Sequence, residues 1–225
     1  MKAMGEEHLA VFRRHMVEII DLHFALAAEE LGKDAPDPRL RAALMTTPRH
    51  LFVPAQLALA AYQDTPLPIG FDKTVSQPFI GALMLDLLDL EPGEKVLEVG
   101  TGLGYQAAVM EALGAEVWTV EIVEEFAAEA EARLNAFGKG GVRIRTGDGS
   151  RGWADAGGFD KIVVTAAAPA PPQALVDQLR PGGRIVIPLG GRDVQQLSVV
   201  DKKLDGTTVA REVMAVRFTQ LETLV

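Results

Sequence analysis

The chain has 225 residues, 48% of them hydrophobic, with a formal net charge of −9 and no cysteine. That length makes one large domain, or one with a small appendage, and the apolar share excludes an intrinsically disordered chain. The acidic balance argues against a nucleic-acid partner, and the lack of cysteine excludes disulfides, thiolate metal sites and a cysteine nucleophile.

The opening MKAMGEEHLA has no apolar signal core. The strongest apolar run, FIGALMLDLLDL, is interrupted by Asp86 and Asp89 and falls short of the roughly 20 residues a membrane helix needs. A cytoplasmic protein without a membrane partner is the expectation. Residues 7 to 31 read as a helix, with Leu9, Phe12, Met16, Ile19, Ile20, His23 and Ala27 spaced by threes and fours. Asp37 then caps a second helix with Pro38 at its first position, running to about Thr47 before Pro48. PLPIGFDKTVSQPF, at 66 to 79, is stiffened by Pro66, Pro68 and Pro78 and crowded with polar groups. A helix from about Gln77 to Leu90 follows, for which Ser76 or Thr74 is a local N-cap candidate.

From Lys95 the texture alternates. KVLEV, AEVWTVE, VRIRT, FDKIVVTAA and GGRIVIPLG read as strands, separated by helices in QAAVMEAL, 123 to 137 and PPQALVDQL. Two more strands, near 194 to 201 and 207 to 217, flank a turn containing Asp-Gly and form a hairpin. The pattern predicts an α/β fold: a doubly wound, mostly parallel seven-stranded sheet with an N-terminal helical cap. We divide it at 1–90 (cap and lid segment) and 91–225 (sheet domain), as one compact unit.

The chemistry concentrates at the strand ends. Gly100, Gly102 and Gly104 lie directly between a strand and a helix, and Glu121 ends the next strand about twenty residues on, where an acid binds ribose hydroxyls. The spacing G-x-G-x-G departs from the dinucleotide fingerprint, and no Walker pattern is present. Glu98, two residues before the first glycine, suits a positively charged cofactor better than a pyrophosphate. Asp148 reads either as a hydrogen-bond acceptor for an adenine amino group or as a turn cap. Gly149 beside it, Tyr105 after the glycine turn and Thr165 at the end of the fourth strand complete the cofactor candidates. His8, His15 and His23 share one helix at spacings unsuited to a metal pair, so no metal is expected. Trp118 and Trp153 read as core aromatics.

PRHLFVP, AYQDTPLPIG, TVSQPF, LEVGTGLGYQAA, GDGSRGW, FDKIVVTAAAPAPPQAL, QLRPGGRIVIPLG and AVRF occur in that order. Together they resemble the protein-L-isoaspartate O-methyltransferase family from Pro48 to Phe218, with TVSQP the most specific block. The resemblance implies a Rossmann-like fold, S-adenosylmethionine as cofactor, and methylation of the free α-carboxylate of isoaspartyl residues in damaged proteins and peptides. It implies a monomer, and a role for Ser76 in holding a substrate carboxylate oxygen, with Thr74, Val75 and Gln77 shaping the wall between cofactor and substrate. Arg217 in AVRF is a further substrate-binding candidate, and Asp64 a structural loop acceptor or a substrate contact. Two features depart from the family pattern: Asp72 and Lys73 in GFDK, and the tail RFTQLETLV. They leave open a carboxyl methyltransferase with a dedicated peptide or small-molecule substrate, and a non-catalytic cofactor binder.

Overall fold

In this computed structural model residues 5–224 are described. Residues 1–4 and 225 lie outside the described residues, and with them the start of MKAMGEEHLA and the outer limits of the two expected domains.

Helical spacing of apolar residues builds the cap. α1 (Glu6–Leu26) buries Leu9, Met16, Val17, Ile20 and Phe24. The expected single helix to residue 31 breaks at Ala27, and a short α2 (Ala28–Leu31) ends at Gly32, which takes the left-handed conformation that terminates helices. No local residue signals the break at Ala27. α3 (Pro38–Thr46) starts as expected, with the Asp37 carboxylate accepting the Arg39 N–H at 2.7 Å. Two short 3-10 turns, Arg49–Phe52 and Ala55–Leu57, lead to an antiparallel hairpin of β1 (Leu67–Gly70) and β2 (Lys73–Val75).

That hairpin was not legible in the sequence. Its two central residues, Phe71 and Asp72, both have positive φ, at 50° and 55°, where a hairpin loop ordinarily carries Asn-Gly or Asp-Gly. The exposed Phe71 ring packs edge-on against Phe126, 5.3 Å between centroids, so a tertiary contact holds a turn that local propensity disfavours.

α4 (Pro78–Leu88) follows, and then the alternating part: β3 (Lys95–Val99), α5 (Tyr105–Ala112), β4 (Glu116–Glu121), α6 (Glu124–Ala136), β5 (Arg143–Thr146), β6 (Phe159–Val164), α7 (Gln173–Gln178), β7 (Leu179–Gly190), β8 (Gln195–Lys202) and β9 (Thr208–Val216). These form a seven-stranded sheet in the order β5-β4-β3-β6-β7-β8-β9, parallel through β7 and antiparallel at β8 and β9. The expected fold class holds. The strand order reverses between the parallel neighbours β3 and β6, so the crevice outside their carboxyl ends is the natural ligand site of such a sheet.

Strand alternation divides the core. On one face Val96, Val117, Val163, Val186, Leu197 and Val199 join the buried residues of α1, α3, α4 and α5 in one cluster, which spans the expected boundary at residue 90. On the other, Leu97, Val99, Val120, Ile162, Val164 and Ile185 pack with Leu175 of α7. Glu98, between Leu97 and Val99, therefore points to the cap side. The partly buried Trp118 and Trp153 meet edge-to-face at 4.8 Å against the second cluster. No helix among the described residues is long and apolar enough to cross a membrane.

Candidate active site

The segment before α4 lies over the ends of β3 and β6. One cavity is lined by Thr74, Val75, Ser76, Glu98, Gly100, Gly102, Tyr105 and Thr165, all expected from the sequence, and also by Arg49, Pro78, Gly81, Thr101, Leu103 and Gln106. A second, of about 430 Å³, opens at the ends of β4 and β5 among Val120, Gly147, Asp148, Gly152 and Leu224.

The Ser76 hydroxyl makes no hydrogen bond to the described residues, and it does not cap α4. The N-cap position belongs to Gln77, without a side-chain cap bond. The cap is supplied from a distance: Asp64 Oδ1 accepts the Phe79 N–H at 2.8 Å, and Asp64 Oδ2 accepts from Gln77 Nε2 at 2.7 Å. Asp64 is thus the structural acceptor, with His23 Nδ1 3.0 Å away. The Gln77 amide faces Asp64, so the structure does not place it in the cofactor wall. Arg49 Nη2 donates to the Ser76 carbonyl at 2.7 Å, and Nε to that of Ala61 at 2.9 Å. Ser76 is therefore anchored by its backbone while its hydroxyl stays free.

Glu98 is 1% exposed. Its Oε2 accepts from the Thr119 hydroxyl at 2.7 Å, and Thr119 lies 2.6 Å from the Thr101 hydroxyl. Burial pushes the Glu98 carboxyl from an ordinary 4.5 up to about 8, against the pull of the Thr119 hydroxyl and with help from nearby Glu121. At neutral pH this group is largely protonated, so the anionic partner expected from sequence forms only when a cation or higher pH draws off the proton.

Glu121 holds the glycine turn. Its two oxygens accept the N–H groups of Gly102 (2.8 Å) and Val123 (3.0 Å), and it lines neither cavity. Gly100 has φ 95°, and a Cβ there would stand 2.3 Å from Thr165 Oγ1. That hydroxyl donates toward the carbonyls of Val99 and Gly100, so the close approach of strand ends requires glycine. Gly104 serves the packing of α5 on α6, where a Cβ would press on Leu134 at 3.1 Å. Gly149 sits tight under Val99. Neither lines either of these two cavities.

Asp148 turns out to cap the 3-10 turn Gly149–Arg151, accepting from Ser150 N (2.9 Å) and Ser150 Oγ (2.6 Å), while still bordering the second cavity. Burial raises its pKa, but the bonds from Ser150 and the Leu224 N–H outweigh this and leave it below the ordinary value. Arg217, just past β9, is exposed and reaches neither cavity.

The tail has a defined path. Thr219 and Leu221 bracket Ala167 by backbone bonds of 2.8 and 2.7 Å, Glu222 pairs with Lys73 of the hairpin, and the Leu224 N–H donates to Asp148 at 3.1 Å. The two departures from the family pattern, GFDK and the tail, meet each other across the site.

The protein-L-isoaspartate(D-aspartate) O-methyltransferase family model matches residues 27–224. The chain belongs to the protein-L-isoaspartate O-methyltransferase family. It is 46% identical over 219 residues to protein-L-isoaspartate O-methyltransferase 1 of Polaromonas sp., covering 97% of this chain and 93% of the relative. It is 51% identical over 193 residues to protein-L-isoaspartate O-methyltransferase 2 of the same organism, covering 85% and 92%. A solved protein-L-isoaspartate O-methyltransferase superposes with a TM-score of 0.79 at 27% identity, over 92% of this chain and 65% of that one. A Plasmodium falciparum chain crystallised with S-adenosyl-L-homocysteine shares the fold, with a TM-score of 0.75 at 24% identity over 84% and 92%.

Sequence reasoning missed Arg49, Thr101 and Gln106. The available signal for Arg49 and Gln106 was a polar residue next to an apolar run, in PRHLFVP and YQAAVM, and for Thr101 its place inside the glycine turn.

Proposed function

We propose that this protein transfers a methyl group from S-adenosylmethionine to the free α-carboxylate of L-isoaspartyl residues in proteins and peptides, with Ser76 as the residue that holds the accepting carboxylate. The observation that carries the role of Ser76 is its free hydroxyl in the cavity wall, with the capping of α4 assigned to Asp64.

The chemistry asks little of the protein in proton transfer. A carboxylate titrates near 4 and is already ionised at pH 7, so no general base is required. Bound S-adenosylmethionine supplies a methyl on a sulfonium, and the O–CH3 bond forms as the S–CH3 bond breaks, leaving S-adenosylhomocysteine and a methyl ester. The residues fit such a group: the glycine turn at Gly100–Gly102 admits close backbone approach, and the buried amide of Gln106 beside it has no hydrogen-bond partner among the described residues. Thr74, Val75 and Thr165 flank the same space, and Asp148 with Gly152 and Val120 borders room for an adenine. Glu121 keeps lone pairs for ribose hydroxyls beyond its two backbone bonds. Ser76 donates to one carboxylate oxygen, and the Arg49 and Asp64 anchors keep it there. Alignment and exclusion of water provide the rate.

The test pairs purified protein and labelled S-adenosylmethionine with two peptides that differ only in isoaspartate or aspartate at one position. Base-labile methyl ester on the isoaspartyl peptide alone, strongly reduced in Ser76→Ala, is the expected result. Label on neither peptide while the cofactor still binds would overturn the repair activity. Full transfer by Ser76→Ala would keep the activity and remove Ser76 from it.

A further inference from the structure

From Met16 onward the buried residues of α1 are apolar: Met16, Val17, Ile20 and Phe24. His23, between the last two, sets a polar group against the same neighbours. Its Nδ1 is shut off from solvent and makes no aligned hydrogen bond among the described residues, yet it stands 3.0 Å from Asp64 Oδ2. Its ring meets Phe79 edge-on at 4.8 Å between centroids, and the ring of Phe24 does so at 5.8 Å. α1 thus reaches the start of α4 twice, through the Phe79 ring and through Asp64. It ends at Leu26, ahead of the stretch from residue 27 that the family model matches.

Asp64 is the point on which these contacts act. Its two oxygens accept the Phe79 N–H and the Gln77 amide, and Gln77 follows Ser76 directly. It also lies near Arg49, whose pKa burial lowers while the Asp64 charge works against that shift, and Arg49 donates to the Ser76 carbonyl. A carboxylate so enclosed is costly unless its lone pairs and its charge are matched. Oδ2 takes one bond, from Gln77, and His23 presents a second polar group to the same oxygen. The Nδ1–H tautomer and the imidazolium both carry a hydrogen on that nitrogen, so the contact does not depend on titration. Attraction to a charge is not strictly directional, so it acts even off the hydrogen-bond line.

We infer that His23 is a positioning residue for methyl transfer: it fixes the Asp64 carboxylate, which fixes the first turn of α4 and so the place of the Ser76 hydroxyl. This rests on the role proposed for Ser76 above. His23 touches neither substrate nor cofactor cavity; it acts through Asp64 alone, from a helix that contributes no residue to either.

Kinetics with the isoaspartyl peptide test this in two backgrounds, wild type and Ser76→Ala. His23→Leu keeps an apolar contact with Phe79 and removes the nitrogen. His23→Asn sets its amide where Nδ1 stands. In the wild-type background His23→Leu should lower kcat/KM for the peptide roughly 2- to 12-fold, with affinity for S-adenosylhomocysteine unchanged, and His23→Asn should recover most of the loss. In the Ser76→Ala background His23→Leu should change nothing further, because the hydroxyl it positions is gone. His23→Gln, which moves its amide to the place of Nε2, runs the same comparison should His23→Leu fail to fold. An unchanged kcat/KM, no recovery by His23→Asn, an equal fall in both backgrounds, or a matching loss of S-adenosylhomocysteine affinity overturns the inference. Wild-type protein that methylates no isoaspartyl peptide, or Ser76→Ala with full transfer, would instead bring down the reading it rests on, and the inference with it.

Discussion

Ser76 shows how one side chain can be read two ways until its neighbours are known. Beside Pro78 it is a plausible cap, yet the capping bond comes from Asp64, fifteen positions before Phe79 in sequence. A hydrogen bond to a charged group contributes about 1.5–3 kcal/mol, so Ser76→Ala should lower kcat/KM by roughly 10- to 150-fold with little effect on melting temperature. A large fall in melting temperature would return Ser76 to a structural role. Glu98 makes a prediction about pH. Its folded pKa, about 8, lies above the ordinary 4.5, so the folded state binds the extra proton and stability falls as pH rises through that window. A cationic ligand nearby favours the ionised form. Affinity for S-adenosylmethionine should therefore rise from pH 6 to 8 with proton release, while the uncharged thioether product varies less. Glu98→Gln should abolish that slope in calorimetry, and a slope retained by the variant would refute the account.

Among the elements, the path from Tyr62 to Phe79 places the site residues. The β1–β2 hairpin presents Thr74 and Val75, Asp64 starts α4, and Arg49 ties Ser76 to the cap. Asp64→Ala leaves the Phe79 N–H and the Gln77 amide without their acceptor. It should destabilise by about 1–3 kcal/mol, seen as a lower urea midpoint. Asp64→Asn retains one acceptor oxygen and should fall between. The tail is a weaker element. Glu222 is half-exposed in its pair with Lys73, and such surface pairs contribute about 0–1 kcal/mol. Glu222→Ala should barely move the melting temperature but speed hydrogen exchange at residues 221–224. Unchanged exchange there would show that the backbone bonds to Ala167 and Asp148 hold the tail without it.

For the whole molecule, cap and sheet share one core across residue 90, so a ligand bound between them is coupled to global unfolding. At a hundred times its Kd, S-adenosylhomocysteine should add about 2.7 kcal/mol, or roughly 5–10 °C in melting temperature for a chain of this size. A thermal melt without such a shift would show that the cavities are not a cofactor site. The acidic net charge of −9 gives no general attraction for an anionic substrate, so recognition of a carboxylate would rest on local donors, the role proposed for Ser76.

Features that depend on neighbours along the chain were legible in the residues alone. Alternating apolar strands and helices specified the sheet, Gly100 and Gly102 marked the ligand crevice, and Asp37 with Pro38 announced α3, because periodicity, backbone freedom and capping act within a few residues. The tertiary structure decided what depends on contacts between distant segments and on burial. It gave the capping of α4 to Asp64 and the turn at Phe71–Asp72 to the ring of Phe126. It turned Gln77 away from the cavity, left Arg217 outside it, and brought Lys73 to Glu222. The protonation of Glu98 and the contact of His23 with Asp64 belong to the same class: desolvation and contacts between distant elements arise only when the cap closes over the strand ends.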